Sequence, residues 1–200
     1  PDMNIKYLYY RTIARIMETN MDYVLKMSRE EIIDIVQQIP MIVSETNSLE
    51  DILDIINSYR EEIAVVFVDY IQAIQTNGSR SYSRHEEIGY ITNQIKAMGK
   101  KYGITVIFIA QLSREAERTN SVSSAYIKDS GILEQEADMI FSISKKIHDE
   151  NDRFSYRRFN FHSQSNEIEI SLTKNRHGSV GKLIVKVDVS RFMLIDGINQ

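Results

Sequence analysis

The residues best suited to chemistry in this sequence are two polar side chains that each end an apolar run. Asp69 follows the run at 64–68, and Gln111 follows the run at 104–110. A continuous apolar run predicts a strand that is buried on both faces, as in the middle of a parallel sheet. In open α/β sheets ligands bind beyond the carboxyl ends of strands, where a carboxylate can hold a Mg²⁺ ion that bridges nucleotide phosphates. An Asp at this point could also simply cap the following turn.

A helix joins these two strands and fixes their relative direction. Ser83 with Glu86 is a capping-box pattern, and behind it apolar residues step by three and four until Gly103 ends the helix. A strand, a helix and a strand of these lengths form a βαβ unit, whose crossover makes the strands parallel. We therefore expect Asp69 and Gln111 to lie on the same edge of one sheet. Gln111 could there orient a water molecule or contact a phosphate, although a Gln after a strand is more often a surface hydrogen-bonding residue.

The remaining elements follow from helical spacing, capping patterns and alternation. The expected elements, in chain order, are a helix over 3–18, a helix from Ser28, a short strand at 41–43, a helix from Ser48, a helical segment over 128–136, a strand over 137–144, an antiparallel hairpin of 167–172 with 182–188, and a short strand over 191–194. Residues 145–166 mix charges, aromatics and His without a clear period. We expect that stretch to form an exposed loop.

Two cations lie in the connection of the expected hairpin. Lys174 and Arg176 stand beside a Gly, a setting that suits contact with anions, although charges that keep a sheet edge soluble are the plainer explanation. The acidic residues Glu134, Glu136 and Asp138 fit a solvated helix face better than a general-acid site. The His residues show no metal-ligand spacing, and the sequence gives no basis for a zinc site.

Length and composition limit the classes of protein that fit. The 200 residues suit one domain, or one domain with a small appendage. The absence of Cys excludes a disulfide scaffold and suits a reducing cytosol, and no apolar run approaches the length of a membrane span. A net charge of −4 gives no global attraction to nucleic acid, so any DNA contact must come from a local patch. The chain begins at Pro1 and leads directly into a helical pattern, which we interpret as a piece of a longer protein.

Four short blocks, in this order, resemble the DnaB family of replicative DNA helicases. The blocks are Val68-Asp69-Tyr70-Ile71-Gln72, Ala110-Gln111-Leu112-Ser113-Arg114, Lys128-Asp129-Ser130-Gly131-Ile132-Leu133-Glu134-Gln135-Glu136-Ala137-Asp138 and Lys174-Asn175-Arg176-His177-Gly178. The third block is the most specific of them. The resemblance implies an α/β fold: a RecA-like P-loop NTPase core with a mostly parallel sheet and a C-terminal antiparallel hairpin.

The sequence also departs from the family pattern. It contains no G-x-x-x-x-G-K-[ST] motif, so the loop that cradles nucleotide phosphates is missing together with its strand and helix. We interpret the 200 residues as a partial RecA-like ATPase domain, and we expect this chain alone not to hydrolyse ATP. The family usually has Arg and Glu where Lys128 and Asp129 stand, and Asn where His177 stands. The change to Lys weakens any bidentate phosphate contact there.

The resemblance implies a role for each candidate residue in a full-length helicase. ATP and Mg²⁺ would be the cofactors, with Asp69 at the metal and Gln111 linking the phosphate site to the DNA loops. Lys174 and Arg176 would act on the ATP of a neighbouring subunit. The residues expected to face single-stranded DNA, within 75–84 and 113–131, are Arg80, Arg84, Arg114, Lys128, Asp129 and Gly131. The partners that the resemblance implies are identical subunits in a hexameric ring, a primase and a helicase loader.

Two other functions fit the same residues. A RecA-like recombination or repair ATPase shares the strand ends but not the block at 128–138. A degenerate homologue could act only as a subunit-interaction module, packing against helicase subunits or loaders without turning over ATP. A P-loop followed by a strand ending in Glu, upstream of Pro1 in the coding sequence, would favour the helicase.

Overall fold

The computed structural model describes residues 4–77, 83–111, 131–145, 167–188, 191 and 193–198. The chain divides into two compact units. The first comprises residues 1–45, 141–172 and 180–200, and the second comprises residues 46–140 and 173–179. The third and fourth strands of the chain each contribute residues to both units, and the expected one-domain organisation stays a prediction.

Three short helices open the first unit. They are α1 (Ile5–Ile16), α2 (Met21–Val24) and α3 (Arg29–Val36). Polar side chains cap all three, and α3 carries the predicted capping box between Ser28 and Glu31. Ile13, Ala14 and Val24 are fully buried between these helices. The expected helices at 3–18 and from Ser28 are therefore confirmed, whereas the expected strand at 41–43 is wrong, because those residues form no ladder.

The second unit is built on a parallel strand pair. Helix α4 (Leu49–Ser58) precedes β1 (Val65–Asp69), a 3₁₀ turn follows at Ile71–Ala73, and then come α5 (Arg84–Tyr102) and β2 (Thr105–Ile109). β1 and β2 pair in parallel, with Val65 opposite Thr105 and Asp69 opposite Ile109. This confirms the predicted βαβ unit and its crossover.

The apolar runs of β1 and β2 are not buried on both faces, so that expectation is wrong for the described residues. Val68 is buried and packs with residues of α4 and α5, but Phe67 is 66% exposed and Ile109 is 44% exposed. Alternate side chains of a strand point to opposite faces, and in the described part of this unit α4 and α5 cover only one of them. An apolar run shows that a strand can be buried on both faces, but it does not show that another element covers both faces.

Helix α5 lies very close to β2. A Cβ on Gly99 would stand 2.7 Å from Val106 Cγ2 and 2.9 Å from the Ile104 carbonyl oxygen, so only glycine fits there. Ser83 and Glu86 form the predicted capping box, and Gly103 ends the helix in the left-handed conformation, with φ 70°. The long helix is thus fixed at both ends by the residues that predicted it.

After β2, the residues that the structure describes form one short helix and a four-stranded sheet. Its elements are α6 (Gly131–Glu136), β3 (Met139–Lys145), β4 (Glu167–Asn175), β5 (Gly181–Asp188) and β6 (Met193–Ile198). The strand order is β3-β4-β5-β6, and the ladders β4–β5 and β5–β6 are antiparallel. The α/β class, the strand after α6 and the C-terminal hairpin are confirmed. Lys145 ends β3, and the rest of the expected loop, 146–166, lies outside the described residues.

Candidate functional site

The carboxyl ends of β1 and β2 bring Asp69 and Gln111 to one edge of the parallel pair. Asp69 is opposite Ile109, so Gln111 lies two residues beyond the end of that ladder. Both residues are exposed. Among the described residues, the Asp69 carboxylate has no hydrogen-bond or ion-pair partner, so its oxygens are open to a ligand. A carboxylate of this kind suits Mg²⁺, which is commonly held by one or two carboxylates together with nucleotide phosphates.

The main chain of Gln111 is fixed by the side chain of Gln72. The Gln72 Nε2 group donates to the Gln111 carbonyl oxygen at 3.2 Å, and Gln111 N–H donates to Gln72 Oε1 at 3.2 Å. This reciprocal pair joins the segment after β1 to the end of β2. Gln72 lies in one of the four family blocks, but the sequence did not predict its contact with Gln111. The two residues are 39 positions apart, and no local spacing links them.

Arg84 binds the same segment from the start of α5. Its Nη2 group donates to the carbonyl oxygens of Gln72 at 2.7 Å and Ile74 at 3.0 Å, and its Nη1 group pairs with Glu87. Burial raises the pKa of Glu87, but hydrogen bonds from Arg84 and Thr76 and the charge of Arg84 outweigh it and hold that pKa below its usual value. Arg84 therefore has a structural role, because it holds the segment after β1 against the start of α5. Its contact with DNA stays a prediction.

Carboxylates on two helices hold the base of the loop that follows β1. Glu87 Oε1 accepts from the main-chain N–H of Thr76, and Glu50 accepts from that of Asn77 at 3.2 Å. Ser48, the N-cap of α4, accepts from the Asn77 side chain at 3.3 Å. The loop expected to face DNA therefore leaves from a fixed base, whereas its residues 78–82, including Arg80, lie outside the described part of the chain.

Lys174 and Arg176 meet the C-terminal end of α6. Lys174 Nζ donates to the carbonyl oxygens of Glu134 and Gln135, the second at 3.1 Å. Arg176 pairs with Asp138, with Nη1 to Oδ1 at 2.6 Å. Both side chains reach the Gln135 carbonyl oxygen, so both are held within the chain instead of only making a sheet edge soluble.

Two of the three acidic residues of this region, Glu136 and Asp138, are ion-paired, not merely solvated. Glu136 accepts from Lys96 Nζ at 2.8 Å, and Asp138 accepts from Arg176. The hydrogen bond and the charge of Lys96 are the main causes that hold the pKa of Glu136 below its usual value, with smaller contributions from Arg176 and Lys174. The partner Lys96 lies on α5, 40 positions away, which is why the sequence gave no sign of it.

The residues expected to face DNA are only partly described. Gly131 is the exposed first residue of α6, and a Cβ placed on it would lie 3.8 Å from His85 Cε1. Arg114, Lys128 and Asp129 lie outside the described residues. Of the residues expected to face DNA, the structure thus describes Arg84 and Gly131.

Two features are absent from the described part of the chain: a cluster of metal ligands and a membrane-spanning helix. It holds no group of three or more His, Cys, Asp or Glu residues arranged to bind a metal ion. In the same residues, no helix combines the length and the apolar character that crossing a membrane requires.

Comparison with known families decides what kind of domain this is. The sequence profile of the family "DnaB-like helicase C terminal domain" matches residues 3–193. The chain belongs to this family. Its relatives include a "Probable plasmid replicative DNA helicase" from Chlamydia trachomatis serovar L2, 32% identical over 139 residues, which are 68% of this chain and 27% of that protein. "Replicative DNA helicase DnaB" from Geobacillus stearothermophilus is 31% identical over 124 residues, 60% of this chain and 25% of that protein. The DnaB-like chain thus spans about a quarter of the length of these relatives.

Solved structures confirm the fold of the DnaB-like chain. A structure described as "a DnaB-like replicative helicase and its interactions with primase" matches with a TM-score of 0.77 at 20% identity, covering 97% of this chain and 49% of that one. A solved ATPase domain matches with a TM-score of 0.76 at 20% identity, covering 98% of this chain and 72% of that domain. The family and the helicase ATPase-domain fold expected from the four sequence blocks are therefore confirmed.

Proposed function

We propose that this DnaB-like chain is part of the motor domain of a replicative DNA helicase, which hydrolyses ATP to move along single-stranded DNA and unwind duplex DNA. The observation that carries the proposal is the parallel β1–β2 edge, which presents an open carboxylate, Asp69, beside Gln111. Family membership and two relatives named replicative helicases support it over a recombination or repair ATPase. Its setting would be the cytoplasm, with identical subunits in a ring, possible primase and loader partners, and DNA as the substrate.

The cofactors of the proposed reaction are ATP and Mg²⁺. When bound, Mg²⁺ neutralises charge that develops on the nucleotide phosphates. Asp69 fits this ion because its oxygens have no partner among the described residues and it ends a parallel strand. Gln111 fits a contact to phosphate or water because Gln72 holds its main chain at the same edge. Lys174 and Arg176 would supply positive charge to the ATP of the neighbouring subunit.

DNA would pass along the two segments, 75–84 and 113–131, that follow β1 and β2 in the chain. The expected contacts come from Arg80, Arg84, Arg114, Lys128, Asp129 and Gly131. Support for this surface comes from the fixed base of the first loop, at Thr76 and Asn77, and from the exposed position of Gly131 at the start of α6. Tracking of a DNA backbone needs only local positive charge and main-chain amides, so the net charge of −4 is no obstacle.

The test compares two Asp→Asn substitutions in the full-length protein. Asp69→Asn removes the carboxylate charge at the proposed metal position and should lower the ATPase kcat at least about 100-fold, because charge stabilisation in the transition state is lost. Asp54→Asn makes the same chemical change at an exposed position on α4 and should leave the rate unchanged. Duplex unwinding should fall in parallel with ATPase activity.

Two results would contradict the proposal. A full-length protein without ATPase activity would favour the subunit-interaction module. A full-length Asp69→Asn protein with the activity of the unaltered protein would show that this carboxylate does not serve the metal.

A further inference from the structure

The side chain of Arg84 binds the main chain of the segment that follows Asp69. Its Nη2 group donates to the Gln72 carbonyl oxygen at 2.7 Å and to the Ile74 carbonyl oxygen at 3.0 Å. These carbonyl groups lie at the C-terminal end of the 3₁₀ turn at Ile71–Ala73. The last carbonyl groups of a helix lack partners within it, and an Arg side chain can supply them. Arg84 thus fixes the direction of peptide groups that come shortly after the proposed metal ligand.

Glu87 holds Arg84 in this position from the same turn of α5. The carboxylate pairs with the Arg84 Nη1 group, and the side chains of Arg84 and Glu87 are 36% and 21% exposed. Ion pairs that are partly withdrawn from water are screened less than fully exposed ones. Glu87 also accepts from the Thr76 N–H group at 3.3 Å, so it binds the chain beyond the 3₁₀ turn as well. Arg84 and Glu87 together form a bracket at the start of α5.

Gln72 connects this bracket to the end of β2. Arg84 binds its main-chain carbonyl group, while its side chain exchanges two hydrogen bonds with the main chain of Gln111. A side chain holds its partner precisely only when supporting contacts fix its own position. The bracket therefore bears on the main chain of Gln111 through Gln72.

Burial of apolar side chains also holds the 3₁₀ turn, but it serves a different purpose. Ile71 is fully buried, and Ile74 is almost fully buried in the same core. Hydrophobic burial has no preferred direction, whereas a hydrogen bond weakens steeply when its angle departs from linear. The core thus keeps the turn against α4 and α5, and the bracket sets the orientation of its peptide groups.

We infer that Arg84 is a positioning residue of the proposed ATPase site, which together with Glu87 orients Gln72 and thereby the main chain of Gln111 beside Asp69. The inference rests on the proposed function and gives Arg84 a task that is independent of contact with DNA. The task requires more than a positive charge, because one nitrogen atom serves two carbonyl groups while another serves the carboxylate. A guanidinium group offers such separate donors in a fixed plane, whereas Lys has a single nitrogen.

Arg84→Lys in the full-length protein separates this task from a contact with DNA. Lys keeps the positive charge that a phosphate contact needs, but it lacks the second nitrogen donor. The kcat for ATP hydrolysis, measured without DNA, should fall about tenfold while the KM for ATP changes little, because the reacting groups are displaced and not removed. The affinity for single-stranded DNA should stay the same.

Arg60→Lys is the matched control. Arg60 lies in the turn after α4 and also binds one carbonyl oxygen and one carboxylate, those of Asn57 and Glu61. The substitution makes the same chemical change away from the β1–β2 edge. Its kcat and KM should equal those of the unaltered protein.

A double variant tests whether Arg84 acts through Gln72. Gln72→Leu removes the link to Gln111, so adding Arg84→Lys should lower kcat by less than about twofold further. Independent contributions would instead multiply the two losses. If Arg84→Lys does not fold, Glu87→Gln decides the question, because it removes the charge that holds Arg84. That variant should lower kcat about threefold with little change in KM, and it should cause no further loss beside Gln72→Leu.

The outcomes distinguish the positioning role from the proposed function. An unchanged kcat in Arg84→Lys, in a protein that Asp69→Asn inactivates, would overturn the positioning role and leave the helicase proposal intact. Multiplied losses in the double variant would also overturn it, since Arg84 would then act without Gln72. An unaltered full-length protein without ATPase activity would contradict both proposals. A loss of kcat in Arg84→Lys that is absent from Arg60→Lys, with no further loss in the double variant, would support the positioning role.

Discussion

The edge of the β1–β2 pair and the tip of the β4–β5 hairpin both carry charged residues expected to meet ATP, yet they are prepared in opposite ways. Asp69 at the first place is exposed and has no partner among the described residues, while the main chain beside it is fixed by Gln72. Lys174 and Arg176 at the second place already bind carbonyl and carboxylate oxygens of the same chain. The first region is arranged to receive a ligand, and the second must exchange or extend its contacts to reach one.

This difference has an electrostatic cause. An isolated carboxylate at a strand end remains hydrated at little cost, and a metal ion can later replace that water. Two cations at a hairpin tip would repel each other unless oxygen atoms lie between them, and the α6 carbonyl groups and Asp138 supply those oxygens. Three predictions bear on this comparison, in addition to the tests of the two proposals.

The largest expected effect comes from Arg176→Ala in the full-length ring. If Arg176 reaches a neighbouring subunit's ATP, its loss should lower kcat by about 10³-fold or more, as for other cations that act across a subunit boundary. Mixing this variant with one that lacks the P-loop Lys should restore part of the activity, because some interfaces then combine an intact loop with an intact Arg. ATPase assays on rings shown to be mixed are the measurement.

A fully active Arg176→Ala ring would mean that the hairpin tip only supports α6. The absence of recovery in mixed rings would mean that Arg176 acts within its own subunit. Either result would contradict the proposed difference between the β1–β2 edge, which receives a ligand, and the hairpin tip, which extends to the ATP of a neighbouring subunit.

A smaller effect is expected from Gln72→Leu, which removes the reciprocal pair with Gln111. Two hydrogen bonds worth about 1 kcal/mol each hold the Gln111 main chain, so kcat should fall by up to about 30-fold while the KM for ATP changes little. Gln75→Leu, at an exposed position three residues later, is the matched control. Equal kinetics for the two variants would show that the β1–β2 edge needs no such fixing.

The smallest expected effect is a change in the pH dependence of stability on substitution of Glu87. Because hydrogen bonds and the charge of Arg84 lower its pKa in the folded protein, the Glu87 carboxylate stabilises the fold at pH above its unfolded value of 4.5. That contribution is lost as the pH falls through the lowered folded value. Glu87→Gln should therefore flatten the acid limb of thermal unfolding curves measured between about pH 3 and 6.

Glu62→Gln, an exposed carboxylate in the turn after α4, serves as the control and should leave the acid limb unchanged. Identical pH profiles for Glu87→Gln and the unaltered protein would contradict the role of Glu87 in holding the loop base.

Local patterns predicted the elements well because caps and glycines act over a few residues. Ser28, Ser83 and Gly103 stand at the helix ends where the sequence placed them. The prediction of a strand at 41–43 was wrong because three apolar residues form a strand only beside a partner strand, and no local pattern specifies that partner. The sequence did not predict the short helix α2, because its four residues after the Asn20 cap are too few to show helical spacing.

Contacts across long sequence distances limited the prediction of the site. Asp69 and Gln111 could be placed together because the crossover rule for parallel strands is general. The partners Gln72–Gln111, Lys96–Glu136 and Arg176–Asp138 join residues 38 to 40 positions apart, and no periodicity links them. Residue types suggested where ligands could bind, but only the fold identifies the side chains that hold those groups in place.

The contact between Gln72 and Gln111 also bears on how this protein can diverge. At position 111 the Gln72 side chain binds the main-chain N–H and carbonyl groups, so every residue type except Pro, which lacks the N–H group, can occupy that position and keep the contact. If Gln111 takes part in the proposed reaction, chemistry would restrain the residue type at position 111 more than the fold does, whereas the contact with the main chain restrains position 72. A saturation library at the two positions, selected first for folding and then for activity, would separate these two kinds of restraint.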